Sequence, residues 1–429
     1  MKPMTSHYIP VDPARHTRLH ERLLLNTVIG HILGLSITLF GAQLISHGSA
    51  SIPEDPNQQL SLITLTSIYV INALLLKKIF RFPGGRSFSY NASITLALIA
   101  MAMMIILAFR LGYSRSTLFT GFALLIGVQF ANFIINRRYR RLKFALLPGV
   151  VITNKSSAQN ICFRELTSTE LSSIRYDAII VDTESKIEDG WLRYVAHHSA
   201  SGTTIISSKA INEAINGKVD LNMLSIHDMD SLQPSAVYAI AKRLIDIASV
   251  ALLSPIVLPV SLIVATIIRF ESKGSVLFIQ ERIGQKNIPF RMYKFRSMIP
   301  EDNDTPRFAD MDEHRITRFG SFIRKFRLDE LPQFLNVLKG DMSLIGPRPE
   351  QGGFVEQFEQ EVPFYSYRHI VKPGITGWAQ VSQGYAVCTE STREKVEHDF
   401  FYIKNLSLWM DILIVLKTIR TVATGFGAR

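Results

Sequence analysis

Long apolar runs fill the first third of the chain. Four of them cover roughly residues 24–46, 60–80, 91–111 and 116–136. Each is close to the ~20 residues that a helix needs to cross ~30 Å of hydrocarbon. A soluble helical bundle that is buried by the rest of the protein is the alternative interpretation. The pattern therefore predicts an α-helical N-terminal bundle of four membrane spans within residues 1–143.

The charges between these runs are asymmetric. The polar leader, the second connection and the exit after the fourth run are rich in Lys and Arg, whereas the first connection, SHGSASIPEDPNQQ, has none. Because cytoplasmic loops carry the excess of Lys and Arg, we expect the N-terminus in the cytoplasm and the chain to return there after four crossings. Arg110 and Arg115 in the third loop are a mild exception. No cleavable signal peptide is evident.

A different rhythm begins near residue 144. Short apolar runs, FALLPGVVI, YDAIIVD and GTTIIS, alternate with polar stretches of helical pattern near 187–200 and 209–216. This alternation is typical of a small α/β unit with a parallel sheet. Residues 144–235 are therefore predicted to form a cytoplasmic, Rossmann-like (nucleotide-fold-like) domain. The domain lacks a GxGxxG after its first strand, so a dinucleotide site is not supported.

The third region, residues 236–429, opens with an apolar run over 244–268 that has basic residues at both ends. A fifth crossing would place the polar remainder of the chain outside the cytoplasm. Ser254-Pro255 indicates another solution, because proline removes a backbone hydrogen bond and a serine hydroxyl can satisfy the freed carbonyl. We therefore predict a re-entrant helix over 242–269 that returns to the side from which it entered, with a spanning helix as the alternative.

Two later segments mix apolar and basic positions. RITRFGSFIRKF, from Arg315 to Phe326, groups its aromatic side chains on one side with arginines around them. Residues 405–425 are similar, with Trp409 as a candidate interface anchor. Helices of this kind lie in the headgroup region of a membrane, and packing on the protein core is the alternative. We therefore expect a mainly α domain with amphipathic interfacial helices.

The charge of the chain indicates its binding partners, and its cysteine usage indicates its compartment. The formal net charge is +11, and the basic residues cluster beside apolar runs. This placement favours an anionic lipid surface and phosphate-bearing substrates over nucleic acid. The two cysteines, Cys162 and Cys388, form neither a metal-binding spacing nor a disulfide framework, which is typical of a reducing compartment.

One stretch, RKFRLDELPQFLNVLKGDMSLIGPRP, concentrates the candidate chemistry. Asp329 and Glu330 are adjacent and lie near Arg324, and a helix-stopping Gly340 and a rigid Pro-Arg-Pro turn around Arg348 follow. A carboxylate can supply a nucleophile or a metal ligand, and guanidinium groups hold phosphate oxygens bidentately. The stretch is therefore interpreted as a phosphoryl-transfer site, with an ion-paired helix end as the alternative.

Three other features carry weaker signals. His398-Asp399 is predicted to brace the fold, and Glu281-Arg282 to form a structural pair. Trp378, in a Gly-rich turn, is predicted to pack rather than to stack on a base. A direct role in the site is the alternative for each of them.

Six motifs follow one another between about residues 240 and 425: KRLIDIASVALLSP, FIQERIG, YKFRSM, LDELPQFLNVLKGDMSLIGPRPE, VKPGITGWAQV and DFFYIKNLSLWMDILIVLKT. In this order they resemble the bacterial sugar transferases, which are polyprenyl-phosphate hexose-1-phosphate transferases of the monotopic kind. The four spans and the nucleotide-fold domain ahead of them resemble the large subgroup that starts exopolysaccharide, capsule or O-antigen repeat units.

The resemblance implies an activity and a location. Hexose 1-phosphate would pass from a UDP-hexose, glucose or galactose by family habit, to undecaprenyl phosphate, with release of UMP. The protein would be a multi-pass protein of the bacterial inner membrane with its catalytic domain on the cytoplasmic side. A homo-oligomeric state stays open. After VKPGITGWAQV the chain reads SQGYAVCTESTR, where many relatives continue with Asn-Gly, so the identity of the sugar stays open as well.

The resemblance also implies roles for residues. Asp329 would be the nucleophile and, with the donor diphosphate, would bind Mg²⁺, while Glu330 would act as a base or an orienting group. The positions that match phosphate-binding residues of the family are Lys294, Arg324 and Arg348. Ser254 and Pro255 match the break of the re-entrant helix.

Two other functions stay open. One is a catalytically silent membrane scaffold for polysaccharide assembly, although a scaffold has no use for an acid pair surrounded by cations. The other is a phosphatase acting on polyprenyl diphosphates, which would release free phosphate rather than UMP.

Overall fold

The computed structural model describes residues 27–79, 88–139, 142–155, 161–169, 176–224, 233–271, 273–299, 315–383 and 389–424. The chain divides into two units, Met1–Asn216 and Gly217–Arg429. The first contains long apolar helices followed by a small parallel sheet, and the second carries the predicted phosphoryl-transfer residues.

Four long helices correspond to the apolar runs of the N-terminal third: α1 (Thr27–His47), α2 (Pro56–Ile79), α3 (Phe88–Ala108) and α4 (Arg115–Tyr139). Each is long and apolar enough to cross a membrane. Leu65 and Leu125 are fully buried between them, whereas Ile37 and Phe40 are 52% and 53% exposed. An apolar outer surface of this kind is what a membrane-associated bundle presents to lipid.

Polar side chains link neighbouring helices of this bundle. Asn72 Nδ2 donates to Thr95 Oγ1 at 2.8 Å, and Asn91 Nδ2 donates to the backbone carbonyl of Gln129 at 3.4 Å. Gly121 allows α4 to approach α2 closely, since a Cβ at this position would collide with a side chain of α2. Interhelical hydrogen bonds and small residues at the contact are common means of helix association in lipid.

The rest of the first unit is a parallel α/β layer. Its elements are β1 (Leu142–Leu146), β2 (Ile161–Glu165), β3 (Ala178–Val181), α5 (Asp189–Ala200), β4 (Thr204–Ser207) and α6 (Ser208–Asn216). The strand order is β2-β1-β3-β4, and every pairing is parallel. This confirms the predicted α/β unit. The sequence did not predict β2, because ICFRE offers neither a sustained apolar run nor a clean alternation.

Helix α7 (Ala236–Glu271) is continuous through Pro255 and Pro259. Pro255 has no N–H to donate to the carbonyl of Ala251, and Ser254 Oγ donates to that carbonyl at 2.8 Å instead. The serine hydroxyl therefore satisfies the carbonyl that the proline frees, as the sequence predicted. The helix is apolar enough to enter a membrane, and it is the fifth such helix among the described residues.

Helix α7 packs against the rest of the second unit at two points, one near its middle and one nearer its C-terminal end. Val250 belongs to a buried cluster with Met292, and Val264 belongs to another with Phe295. Most apolar side chains between these two contacts are exposed; the most exposed are Leu252, Ile256, Leu258 and Leu262. One side of this segment is thus uncovered by the described residues, while Val250 and Val264 contact one body.

The remaining elements of the second unit are β5 (Leu277–Ile283), β6 (Pro289–Phe295), α8 (Arg318–Lys325), α9 (Gln333–Lys339), β7 (Ser343–Ile345), α10 (Gly352–Glu361), β8 (Gly374–Thr376), α11 (Trp378–Ser382), α12 (Thr389–Lys404) and α13 (Leu408–Thr424). Strands β5 and β6 form an antiparallel hairpin, and β7 pairs with β8 in parallel. The unit is mostly helical, as predicted, and the two small sheets are additional.

The two amphipathic segments pack differently. In α8, Ile323 is fully buried, whereas Phe322 is 51% exposed and contacts the ring of Phe326 at 5.0 Å between centroids. Helix α13 fully buries Met410 and Leu413. One face of α13 therefore packs on the protein core, and α8 keeps an aromatic pair exposed.

The segment after α6 belongs to the second unit. The backbone N–H of Val219 donates to the carbonyl of Glu397 at 3.0 Å. Trp378 is buried, and its Nε1 donates to the carbonyl of Gly217 at 2.7 Å. Trp378 is therefore a packing residue, as predicted, and fixes the start of this unit.

Candidate active site

The acid pair lies in a short 3₁₀ turn, Leu328–Glu330, between α8 and α9. Arg327 enters the turn in the left-handed conformation (φ 54°), which is uncommon for a residue with a side chain. Helix α9 follows at once and ends at Gly340, whose φ of 96° stops the helix as predicted. Helices therefore hold the turn on both sides, and unusual backbone conformations of this kind cluster at functional sites.

Glu330 is the buried centre of a cluster of three cations. Arg348 Nη2 donates to its Oε1 at 3.0 Å, Lys294 Nζ lies 3.6 Å from Oε1, and Arg327 Nη1 lies 3.6 Å from Oε2. Burial alone would raise the pKa of Glu330, but these cations outweigh burial and lower it to about 2. Glu330 is therefore ionised at neutral pH and holds the cations together.

Asp329 has different surroundings. It is half-buried, and none of the residues that the structure describes donates a hydrogen bond to its carboxylate or lies within ion-pair distance. Burial raises the pKa of Asp329 and the charge of Glu330 raises it further, to about 6, although Lys294, Arg348 and Arg324 act against the rise. At pH 7 Asp329 is thus a mostly ionised carboxylate in a positive field, without a direct partner in this part of the chain.

The three predicted phosphate-binding cations surround the acid pair. Lys294 lies on β6, where burial lowers the pKa of its amine and the charge of Glu330 offsets part of that effect. Arg324 lies in the last turn of α8 and lowers the pKa of Asp329. Arg348 comes from the Pro-Arg-Pro turn after β7. Three separate elements therefore bring these cations together.

Three hydrogen bonds fix the backbone of the Pro-Arg-Pro turn. Gly374 N donates to Pro347 O at 2.9 Å, Arg368 Nη2 donates to Arg348 O at 3.0 Å, and Arg282 Nη1 donates to Pro349 O at 3.3 Å. A guanidinium on a backbone held in this way loses little entropy when it binds a phosphate. The turn therefore preorganises Arg348.

Arg368 is itself held by buried partners. Its Nη2 lies 2.7 Å from Asp399 Oδ2, and its Nη1 donates to Tyr365 Oη at 2.8 Å. Asp399 thus braces the turn through Arg368, whereas Nδ1 of the adjacent His398 is 2.8 Å from the carbonyl of Gly217. The two residues brace the fold in different directions, in line with the predicted role of the pair.

A second ion-paired group supports the same turn. Arg282 Nη1 lies 3.6 Å from Glu350 Oε2, and Lys395 also pairs with Glu350. Burial would raise the pKa of Glu350, but Lys395, Arg368 and Arg282 lower it to about 2. Glu281 and Arg282 occupy successive positions of β5, whose side chains point to opposite faces. The carboxylate that pairs with Arg282 is therefore Glu350 and not the adjacent Glu281 that the sequence predicted.

The acid pair offers one carboxylate to a metal ion. Glu330 is already paired with three cations, which leaves Asp329. Within the described ranges, no group of three His, Cys, Asp or Glu residues could enclose a metal. Mg²⁺ often uses one or two carboxylates and takes its other ligands from water and substrate phosphates. The donor set therefore fits Mg²⁺ that shares a phosphate-bearing substrate.

Sequence comparisons identify the family of the chain. A family model described as bacterial sugar transferase matches residues 237–425, which include every residue of the site. A protein of Aeromonas hydrophila named UDP-N-acetylgalactosamine-undecaprenyl-phosphate N-acetylgalactosaminephosphotransferase is 43% identical over 363 residues, 84% of this chain and 86% of that relative.

Other relatives match less than half of the chain. The UDP-glucose:undecaprenyl-phosphate glucose-1-phosphate transferase of Escherichia coli (strain K12) is 42% identical over 188 residues, 43% of this chain and 40% of that relative. The protein of the same name from Caulobacter vibrioides is 39% identical over 198 residues, 46% of this chain and 74% of that relative. With the nearly full-length match above, these similarities show that the chain belongs to the bacterial sugar transferase family.

Proposed function

We propose that this protein transfers a hexose 1-phosphate from a UDP-hexose to undecaprenyl phosphate and releases UMP, the first membrane step in building an exopolysaccharide, capsule or O-antigen repeat unit. The names of the relatives describe sugar phosphotransferases acting on undecaprenyl phosphate. The observation that carries the proposal is that the two acids have different contacts. Glu330 holds three cations, and Asp329 stands beside them with no partner among the described residues.

A double displacement accounts for this arrangement. Asp329 attacks the β-phosphorus of the donor; an O–P bond to its carboxylate forms while the P–O bond to UMP breaks. An oxygen of undecaprenyl phosphate then attacks the same phosphorus, and the Asp329 carboxylate leaves. Arg324, Lys294 and Arg348 hold the phosphate oxygens during both steps. One phosphoanhydride replaces another, so positioning rather than driving force supplies the catalysis.

Asp329 is also the residue that would hold Mg²⁺, together with the donor diphosphate. The ion would supply charge neutralisation on the phosphates. Glu330 acts as the orienting group rather than as a base, because a carboxylate with a pKa of about 2 takes up protons poorly at neutral pH.

The Glu330→Gln variant tests this assignment through pH. In the unmodified protein we expect kcat/KM to fall as the pH drops through about 6, because Asp329 must be ionised to attack. Glutamine removes the like charge beside Asp329, so its pKa falls and the acid limb moves to lower pH. Because the three cations lose their anchor, we also expect kcat to fall by about 10²-fold at pH 7.

UMP release measured between pH 4.5 and about 8 checks both effects. Glu356→Gln, on the exposed face of α10, is the matched control and should leave the profile unchanged. An acid limb that stays in place, or moves to higher pH, would show that Asp329 is not the titrating group.

A product assay separates the proposed activity from its rivals. Membranes containing the protein are incubated with radiolabelled UDP-sugars and undecaprenyl phosphate. The proposed function predicts UMP together with a labelled lipid. Free phosphate without UMP would indicate the phosphatase. The absence of any product would favour the catalytically silent scaffold.

The sugar panel compares two candidates. Glucose and galactose remain the predicted sugars. N-acetylgalactosamine is the second candidate, because the relative that carries this sugar in its name matches 84% of the chain, whereas the relatives named for glucose match less than half. If UDP-N-acetylgalactosamine alone gives labelled lipid, the prediction of glucose or galactose is wrong and N-acetylgalactosamine is the sugar.

We further propose that α1–α4 span the bacterial inner membrane and that α7 is re-entrant, with the active site on the cytoplasmic side. Val250 and Val264 are 14 residues apart, about 21 Å along a straight helix. Both pack near the same hairpin, in clusters that include Met292 and Phe295 of β6. A helix that contacts one strand on both sides of Pro255 and Pro259 supports entry and exit at the same membrane surface.

Cysteine labelling tests this topology. In a background without native cysteines, we expect Ala236→Cys and Lys273→Cys, at the two ends of α7, to react with an impermeant maleimide in inverted vesicles but not in intact spheroplasts. Ser51→Cys, in the exposed connection between α1 and α2, is the control and should react in spheroplasts. Labelling of Lys273→Cys alone in spheroplasts would show that α7 spans the membrane.

A further inference from the structure

A small open pocket lies beside Arg348. Its cavity volume is about 10 Å³, and its polar walls are Arg348, Arg282 and Gln333. A cavity of about 10–15 Å³ holds one water molecule. The pocket is therefore of a size to take a single oxygen-sized group of a substrate while the rest lies outside.

Gln333 lines the pocket with a polar side chain that has no role in the proposed mechanism. It is 3% exposed and begins α9. Its carboxamide forms no hydrogen bond with any other residue in the part of the chain that the structure describes. The two amide atoms are not sealed inside the protein but open onto the pocket. Native proteins usually complete polar groups in such positions with a ligand or with water. The amide therefore points to a ligand in the pocket that it lines.

The pocket adjoins the reacting centre. The guanidinium of Arg348 lines the pocket and also donates to Glu330. Gln333 follows Asp329 by four residues, and Leu331 and Pro332 between them have helical backbone angles. Residues four apart on a helix share a face. A group bound against Gln333 therefore lies next to the group that Asp329 attacks.

The charge of the pocket selects the ligand class. Two guanidinium groups favour an anion, and a neutral amide adds a hydrogen-bond donor without competing for the carboxylate of Glu330. We infer that Gln333 contacts the substrate: its Nε2 donates a hydrogen bond to a non-bridging oxygen of the donor diphosphate. This inference rests on the proposed function, which supplies the diphosphate.

Two variants of the full-length protein in nanodiscs test the inference. Gln333→Met keeps the length of the side chain without the donor, and Gln333→Glu keeps its shape but replaces the donor with a carboxylate. We expect kcat/KM for the UDP-sugar to fall by about 10²-fold in the first and further in the second, as for loss of an oxyanion donor. Calorimetry should show affinity for UDP falling by about 10-fold or more, with that for uridine unchanged.

Gln357→Met, on exposed α10, is the matched control and should change neither quantity. A lower kcat/KM for the UDP-sugar with unchanged affinity for UDP would show that Gln333 contacts the sugar and would overturn the inference. Unchanged kinetics and binding with a lower unfolding temperature would make Gln333 structural and would also overturn it. Should Gln333→Met not fold, the near-isosteric Gln333→Glu gives the same comparison. If UDP binding depends on Gln333 while no UMP is ever released from UDP-sugar, the proposed function fails but diphosphate recognition stands.

Discussion

We expect the Asp329→Asn variant to release UMP from UDP-sugar at a rate lower by about 10⁴-fold or more. The carboxamide has nearly the shape of the carboxylate but is a poor nucleophile and cannot form the acyl phosphate. The three cations on Glu330 do not depend on Asp329, so binding of UDP measured without Mg²⁺ should change little. UMP release from purified protein in nanodiscs, together with calorimetry of UDP, measures the two effects separately.

A covalent intermediate gives a second measurement on the same variant. With UDP-sugar labelled in the hexose and no lipid acceptor, the unmodified protein should retain label on Asp329, and hydroxylamine should release it because acyl phosphates react with strong nucleophiles. Asp341→Asn, just beyond the end of α9, is the control and should label normally. If Asp329→Asn releases UMP at a rate within about tenfold of that of the unmodified protein, Asp329 is not the nucleophile.

The acid pair was visible in the sequence because its members are adjacent and its cations recur in recognisable motifs. Apolar run length predicted α1 to α4, and alternation of apolar and polar segments predicted the parallel sheet. The Ser254 hydroxyl bonds the carbonyl of Ala251, a local interaction that a dipeptide pattern can reveal. Features set by local spacing were therefore accessible from the residues alone.

The unequal surroundings of the two acids could not be predicted in this way. Nothing in the order Asp-Glu says that Glu330 takes three cations while Asp329 takes none of them directly. That difference arises in a turn that Arg327 enters in the left-handed conformation, which the residue order does not predict. Arg368 was missed as well, because its role comes from a hydrogen bond to a backbone carbonyl 20 residues away.

The Asp399→Ala variant should show the cost of losing the brace behind Arg348. The side chains of Arg368 and Asp399 are 1% and 2% exposed, so removal of the carboxylate leaves a buried cation without its ion-pair partner. Loss of one partner of such a pair lowers the free energy of unfolding by about 3–5 kcal/mol. As Arg368 moves to find another partner, its hydrogen bond to the Arg348 carbonyl weakens, and we expect KM for the UDP-sugar to rise. Chemical denaturation in micelles and steady-state kinetics measure the two effects.

A double variant separates stability from positioning in this brace. Replacing a buried ion pair with apolar side chains of similar volume is often neutral or stabilising, so Arg368→Met with Asp399→Leu should recover most of the lost stability. It cannot restore the hydrogen bond to the Arg348 carbonyl, so KM should stay raised. Gln357 and Glu361, two exposed residues of α10 joined by a hydrogen bond of 2.9 Å, are changed to Met and Leu as the control. The free energy of unfolding of this control should change by at most about 1 kcal/mol, because substitutions at exposed positions usually have small effects. A double variant with normal stability and normal KM would show that Arg368 supports the fold without positioning Arg348.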